Sequence, residues 1–174
     1  QTKLQHQIHE NESLAEVLLQ ERNLLKTLID HLPDYIYAKN AKGQFLLINQ
    51  AMCHHLGATT PDEIIGKTDF DFSPPELAQK YYDEEQTLFN SGHALIGHEE
   101  IIFDHACNTQ RWVLTNKIPL QDSQGHIIGL VGMKRDITKH KQLEQQRLQS
   151  SDRRSRQVLL SVQIAQHIVA TNNL

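Results

Sequence analysis

A hydrophobic run that ends at a helix start is the feature that most constrains the fold of this chain. Residues 127–133 read IIGLVGM, and this run of β-branched residues with two glycines predicts a buried strand rather than a helix. The strand reaches Asp136, Ile137 and Thr138, after which a strongly polar, helical sequence begins. Asp136 and Thr138 are helix N-cap types, because a short side-chain oxygen accepts a hydrogen bond from a free backbone N–H. We therefore expect a strand that passes directly into a helix, so that a shift in the sheet would reach the helix.

Composition and charge limit the class of protein. The 174 residues suffice for one domain with extensions, and 39% of them are hydrophobic. The net charge of −4 gives no electrostatic footprint for nucleic acid, so we expect no nucleic-acid partner. No apolar run has the length of a membrane span and no signal-peptide pattern is present, so we expect no direct membrane insertion.

The use of cysteine points to a reducing compartment. Cys53 and Cys107 lie outside any C-x-x-C pair, which predicts a cytoplasmic protein. The chain starts at Gln1 rather than Met, and its end is helical in character. We therefore expect it to be a piece of a longer protein.

The first 32 residues contain no Gly or Pro and are rich in Leu, Gln and Glu. Nine positions spaced by four and three, from Leu4 to Leu32, include seven apolar residues, as in the seam of a coiled coil. The alternative is an amphipathic helix that packs on its own domain. The sequence favours a homodimer through this helix, with a dimer seam that contains Leu18, Leu25, Ile29 and Leu32.

Residues 33–137 contain all five prolines and all eight glycines and form the predicted globular domain. Strands are expected at 34–38 and 44–49, joined by the turn sequence NAKG. Short helices follow, one of them opened by a capping box at Thr60 and Glu63, and a longer helix spans 76–90 after the start signal at Ser73. Three more strands are expected at 94–103, 110–120 and 126–135. This order predicts an α+β fold with one five-stranded antiparallel sheet and helices over one face.

Residues 138–174 return to a sequence that lacks Gly and Pro. Their first half is very polar, and Val158, Val162, Ala165 and Val169 follow at four-three spacing. We expect an exposed output or linker helix that becomes a packing helix further on. The chain is thus predicted to have three parts, 1–32, 33–137 and 138–174.

Three stretches of the globular part carry a resemblance to a known family. They read LPDYIYAKNAKGQFLLINQAM, IIGKTDFDFSPPELAQKYYDEE and QRWVLTNKIPLQDSQGHIIGLVGMKRDIT. Together with their order along the chain, they resemble a PAS domain over residues 33–138. Asp136, Ile137 and Thr138 resemble the signature at which PAS sheets hand over to an output helix. Residues 153–174 are similar to linkers that precede GAF domains.

The resemblance implies a sensory and dimerisation module of a bacterial multidomain signalling protein. Such modules lie upstream of histidine kinases, diguanylate cyclases and similar output domains. The expected partners are therefore a second copy of the chain, a C-terminal GAF, kinase or other output domain, and a small-molecule ligand. Fold alone does not specify the ligand, because members of one fold bind different molecules or none.

A ligand cavity is expected between the sheet and the helices. The alternative is that the same side chains fill a core, since a sheet covered on one face buries one residue in two. Asp69 and Asp71 are expected to be caps and turn formers. The candidate lining residues are Tyr35, Tyr37, Phe45, Leu47, Phe70, Phe72, Tyr82, Trp112 and Leu114.

The sequence offers no placed cofactor ligand. By the resemblance, haem would need an axial His on the helix at 76–90, which has none, and His93 lies just beyond it. Cys53 lacks the Asn-Cys-Arg-Phe context of flavin-adduct photosensors, and we expect it to be a small residue on a packed helix face. The cofactor is left unspecified and none is required. No metal site is expected, because the remaining candidates are scattered without a metal-site spacing; these are His54, His55, His98 and His105.

No catalytic residue is expected in this chain. It has no Gly-rich phosphate loop, no Gly-x-Ser-x-Gly elbow and no phosphoacceptor context around His9 or His140. The leading hypothesis is a sensory module that passes a signal through Asp136, Ile137 and Thr138 to an output domain. A ligand-free dimerisation and relay module is the alternative, and a haem or flavin sensor is a weaker one.

Overall fold

The computed structural model describes residues 2–104 and 108–171, with side chains as far as residue 164. His105, Cys107 and residues 172–174 of the predicted output segment lie outside the described residues, as do the side chains of Ala165 and Val169. Residues up to Asp136 form one compact unit, and those from Ile137 form a second. The helices are α1 (Thr2–Asp30), α2 (Gln50–His55), α3 (Pro75–Ser91) and α4 (Thr138–Thr171). The strands are β1 (Tyr35–Asn40), β2 (Phe45–Ile48), β3 (Leu95–Asp104), β4 (Thr109–Gln121) and β5 (Ile127–Asp136).

The five strands form one antiparallel sheet in the order β2-β1-β5-β4-β3. The predicted α+β architecture is confirmed, and β5 lies at its centre with β1 on one side and β4 on the other. Helix α2 packs on β1, and α3 packs on β4 and β5. Helices α2 and α3 therefore cover one face of the sheet, which we call the inner face.

The hydrophobic core lies between the inner face and the covering segments. Strand residues alternate between the two faces, so every second residue of β1, β4 and β5 points into this layer. Cys53 on α2 is fully buried there, as a small residue on a packed helix face. Phe45, Ile64, Val113 and Leu130 are fully buried beside it.

Local hydrogen bonds account for most of the turns. The side chain of Asn40 accepts the N–H groups of Lys42 and Gln44, each at 3.0 Å, and closes the first hairpin. Glu63 completes the predicted capping box by accepting the Thr60 N–H at 2.9 Å, although the helix that follows is only a 3₁₀ turn, Pro61–Glu63.

The start of α3 differs from the sequence-based expectation. Pro74 occupies the N-cap position, with no side-chain capping bond, and Pro75 is the first helical residue. Ser73 therefore does not cap this helix. The fixed φ of proline favours the first helical turn without a capping hydroxyl, which explains why the helix still begins here.

Strand β5 and helix α4 are separated by Ile137 alone. The Ile137 carbonyl accepts the Lys141 N–H at 2.9 Å, which is the first hydrogen bond of the helical ladder. Ile137 therefore lies directly before Thr138, the first helical residue. Asp136 pairs with Arg111 of β4, at 2.6 Å between Oδ2 and Nη1. Within the described parts of the chain, no helix has the length and apolar content that crossing a membrane requires.

The buried side chain of Asn49 joins three elements of the first unit. Its amide nitrogen donates to the carbonyls of Ile29 at 2.9 Å and Asp34 at 2.8 Å. Its oxygen accepts the N–H groups of Ile36 and Met52, each at 3.0 Å. One fully buried amide thus holds together the end of α1, the start of β1 and the start of α2.

We expect Asn49→Ala to destabilise the protein by about 2–4 kcal/mol, because it leaves buried backbone groups without partners. Urea unfolding followed by circular dichroism measures this change. The matched control is Asn90→Ala, at an exposed position near the end of α3. Equal unfolding midpoints for the two variants would contradict the role assigned to Asn49.

Candidate ligand cavity and buried ion network

Three lysines extend from three strands into the layer between the sheet and the helices. Lys39 of β1, Lys117 of β4 and Lys134 of β5 are 2%, 1% and 6% exposed. Each stands at the inward position of its strand, two residues after another buried residue. Lysine is seldom buried unless it is paired, so the surrounding layer must supply carboxylates.

Carboxylates from three other segments meet these lysines. Lys39 Nζ lies 2.6 Å from Glu85 Oε1 of α3 and also pairs with Asp69, in the 3₁₀ turn Asp69–Asp71. Lys117 Nζ lies 2.9 Å from Glu84 Oε2. The cluster therefore ties the central strands to α3 and to the segment before it.

The third pair lies within the sheet. Lys134 Nζ is 3.4 Å from Glu100 Oε1 of β3, and the same oxygen accepts the Thr115 hydroxyl at 2.7 Å. Lys134 Nζ also lies over the ring of Tyr81, 4.5 Å from its centroid. We call the three lysines with Asp69, Glu84, Glu85 and Glu100 the buried ion network.

Burial and neighbouring charge shift the titration of this network. Burial raises the pKa of Glu85 above its usual range, although Lys39 acts in the opposite direction. Burial also opposes ionisation of Glu100, but Lys134 and the Thr115 hydroxyl outweigh it and hold the pKa of Glu100 below its usual value. Burial and the carboxylates raise the pKa of Tyr37 and Tyr81, so both phenols stay protonated at neutral pH.

A cavity of about 260 Å³ lies beside the network. Its lining combines apolar side chains with hydrogen-bonding groups of both kinds. The apolar residues include Met52, Leu56, Leu77 and Ile102, and the polar residues include Tyr37, Asp69, Ser73, Tyr81, Glu85, Lys117 and Lys134.

The floor of this layer depends on a residue without a side chain. Gly132 of β5 lies opposite Tyr37 of β1 in the sheet register, and a Cβ at Gly132 would overlap the Tyr37 ring. The ring of Tyr37 therefore lies directly on the β5 backbone. Any larger residue at position 132 would force Tyr37 to move.

The structure brings only part of the predicted lining set to this cavity. Tyr37 lines it. Tyr35 stacks on His55, with ring centroids 4.6 Å apart, and Phe45 and Phe72 pack edge to face in the core. Tyr35 and Phe45 thus belong to the hydrophobic core, and Phe72 packs against it.

Five predicted lining residues lie elsewhere. Leu47, Trp112 and Leu114 occupy the outer face, because the inward positions of the two strands concerned are taken by their sequence neighbours. Phe70 and Tyr82 are partly exposed, and their rings lie against one another with centroids 6.5 Å apart. On α3 the difference is one of helix phase, since Tyr81 rather than Tyr82 lines the cavity.

The two aspartates of the KTDFDF segment have different partners. Asp71 caps its turn as predicted, accepting the Thr68 N–H at 2.8 Å. Asp69 is not a cap in this sense, because its carboxylate pairs with the ammonium of Lys39. Its place in the buried ion network was not predicted.

The network lysines carried a signal that the sequence analysis did not use. Lys117 alternates with Val113 and Thr115, which marks it as inward on a half-buried strand. Glu85 lies on the buried stripe of α3, seven residues after Ala78. A charged residue in phase with a buried stripe predicts a buried pair, although it does not name the partner. Among the described residues, no group of three or more His, Cys, Asp or Glu is arranged to hold a metal ion.

Comparisons with known proteins agree with this architecture. FilI, a methanogenesis regulatory histidine kinase of Methanothrix harundinacea, is 26% identical over 127 residues, which are 73% of this chain and 14% of FilI. The PAS domain of Bordetella pertussis BvgS is 26% identical with a TM-score of 0.59, covering 76% of this chain and 98% of that domain. A structure of VqmA bound to DPO is 26% identical with a TM-score of 0.57, covering 63% of this chain and 55% of VqmA.

The chain thus spans a small part of the kinase relative, and it aligns with nearly all of the BvgS PAS domain. A family model described as PAS fold matches residues 29–142, which include the whole sheet. The chain therefore belongs to the PAS family.

Proposed function

We propose that this PAS domain senses a small molecule in the cavity beside the buried ion network and passes the signal through β5 into α4. The proposal rests on one observation: β5 both contributes to the cavity layer and leads directly into α4. Gly132 and Lys134 of this strand face the cavity layer, and only Ile137 separates the strand from the helix. A displacement of β5 by a ligand would therefore reach the first turn of α4 without a loop to absorb it.

The size of the cavity supports a small ligand. Pockets for drug-sized ligands occupy about 300–1,000 Å³, and this cavity of about 260 Å³ is below that range. It is also too small for a haem or flavin without rearrangement of its walls. The similarity to VqmA, which has been solved bound to DPO, supports a ligand-binding role for this chain.

An ionic clamp at the end of β5 supports the relay. Arg111 of β4 pairs with Asp136 at 2.6 Å and with Asp104 of β3, also at 2.6 Å between Nε and Oδ2. This clamp couples the last residue of β5 to the neighbouring strands. A movement of the sheet would then act on Asp136, Ile137 and Thr138 as one connected segment.

The chain is proposed to act as a module with three parts, 1–32, 33–137 and 138–174. On this proposal, α4 leads to a histidine kinase or a similar output domain in a cytoplasmic signalling protein. The similarity to FilI supports a kinase as the output domain.

The alternative, a dimerisation and relay module without a ligand, is supported by α1. Leu18 and Leu25 are 56% and 58% exposed, and Leu32 just beyond the helix is 46% exposed. A helix with uncovered apolar residues at four-three spacing favours pairing with a second copy through the seam of Leu18, Leu25, Ile29 and Leu32. Dimerisation is compatible with ligand sensing and would carry its output.

We expect filling the cavity to change the dynamics of α4. Leu77→Trp places a large ring in the cavity, and it should change amide hydrogen exchange at residues 138–145 by about tenfold. Hydrogen-exchange mass spectrometry measures this effect. The control, Ile118→Trp, adds the same ring at an exposed position of the outer face and should leave α4 unchanged. Identical exchange at 138–145 in wild type and Leu77→Trp would overturn the relay.

We expect Leu25→Asp to weaken the dimer by about tenfold or more, because it buries a carboxylate in the seam. Sedimentation equilibrium at tens of micromolar gives the dissociation constant. Leu24→Asp is the matched control, since this residue is similarly exposed, at 60%, but points away from the seam. A wild-type monomer, or a Leu25→Asp variant that dimerises as tightly as wild type, would show that the seam does not pair.

A further inference from the structure

The ammonium of Lys134 has hydrogen-bonding capacity that the described residues do not use. It carries three N–H donors, and its polar contact among the described residues is Glu100 Oε1 at 3.4 Å. That oxygen already accepts the shorter bond from the Thr115 hydroxyl at 2.7 Å. The side chain of Lys134 is 7% exposed and lines the cavity. A ligand atom that accepts a hydrogen bond would complete its surroundings.

The charge of the buried ion network restricts what that ligand can be. The network holds one more carboxylate than ammonium groups. An anionic ligand would therefore enter a site with no excess of positive charge and would pay for its own desolvation. An uncharged molecule offers Lys134 an acceptor without that penalty.

The other groups on the cavity wall define the rest of the ligand. Asp69 and Glu85 present carboxylate oxygens, which favour a ligand with an N–H or O–H donor. Met52, Leu77 and Ile102 supply apolar surface to the same cavity, which favours a compact apolar body. Acceptor, donor and apolar body must fit together within about 260 Å³.

We infer that the cavity binds a compact uncharged molecule whose acceptor faces Lys134, whose neighbouring donor faces Glu85 or Asp69, and whose apolar part packs on Met52, Leu77 and Ile102. This inference rests on the proposed sensing function, because it names the class of molecule that the cavity accepts. Primary amides and lactams on a small ring belong to this class. Carboxylates of the same shape do not.

The test uses benzamide and benzoate, which have the same shape and the same number of non-hydrogen atoms. Benzamide is uncharged and has a donor beside its acceptor, whereas benzoate is anionic and has acceptors only. Titration of the wild-type chain, followed by the amide NMR signals of Gly132 and Lys134, gives both affinities. We expect benzamide to bind at millimolar concentration and benzoate to bind about tenfold more weakly.

The contact with Lys134 is tested by Lys134→Met, which keeps an unbranched side chain one atom shorter and removes the ammonium. Benzamide should bind this variant about tenfold more weakly than wild type. Lys42→Met, at an exposed position in the first hairpin turn, should bind benzamide as wild type does. If Lys134→Met does not fold, the double variant Lys134→Met with Glu100→Gln removes both charges of the pair and serves in its place.

Three outcomes would overturn the inference. They are benzoate binding as tightly as benzamide, no binding of either probe, and benzamide binding that does not depend on Lys134. None of these outcomes tests the relay through β5 into α4. The relay is tested separately by hydrogen exchange in Leu77→Trp, which requires no ligand. Conversely, selective binding of benzamide with unchanged α4 exchange in Leu77→Trp would uphold the ligand class and reject the sensing function.

Discussion

Burial of three ammonium groups is the constraint on which the inner layer of this domain depends. Lys39, Lys117 and Lys134 are all buried, so carboxylates from α3, from the 3₁₀ turn before it and from β3 must meet them. Removing one partner of such a pair costs about 3–5 kcal/mol, whereas replacing both with apolar residues is often neutral. The network therefore contributes less to the free energy of unfolding than to geometry, because it fixes where α3 lies over the sheet.

The same constraint explains why a cavity persists at this position. Apolar side chains would fill the layer at the density of a protein interior, but paired charges hold fixed distances and directions. Tyr37 lies directly on Gly132, and the ring of Tyr81 lies within 5.5 Å of two ammonium groups. The remaining space is lined by groups that are already oriented, which favours recognition of a ligand without much rearrangement.

The sequence was sufficient to predict the order of strands and helices, but not which residues line the cavity. The apolar run that ends at Asp136 correctly predicted β5 and the direct passage into α4, because strand and helix signals are local. Trp112 was assigned to the cavity by residue type, whereas the phase of β4 places it on the outer face. Lys134 could have been identified as inward by the same phase. Its pairing with Glu100 depends on strand order in the sheet, which no local pattern specifies.

The pair of Arg111 and Asp136 differs from the pair of Lys39 and Glu85 in its access to solvent. Arg111 and Asp136 side chains are each 31% exposed, whereas those of Lys39 and Glu85 are 2% exposed. Dissolved ions screen the first and barely reach the second. Higher ionic strength therefore weakens the pair of Arg111 and Asp136 at the end of β5 more than it weakens the pair of Lys39 and Glu85. A cell that changes its salt content would adjust how firmly β5 is held at its end while the chemistry of the cavity stays the same.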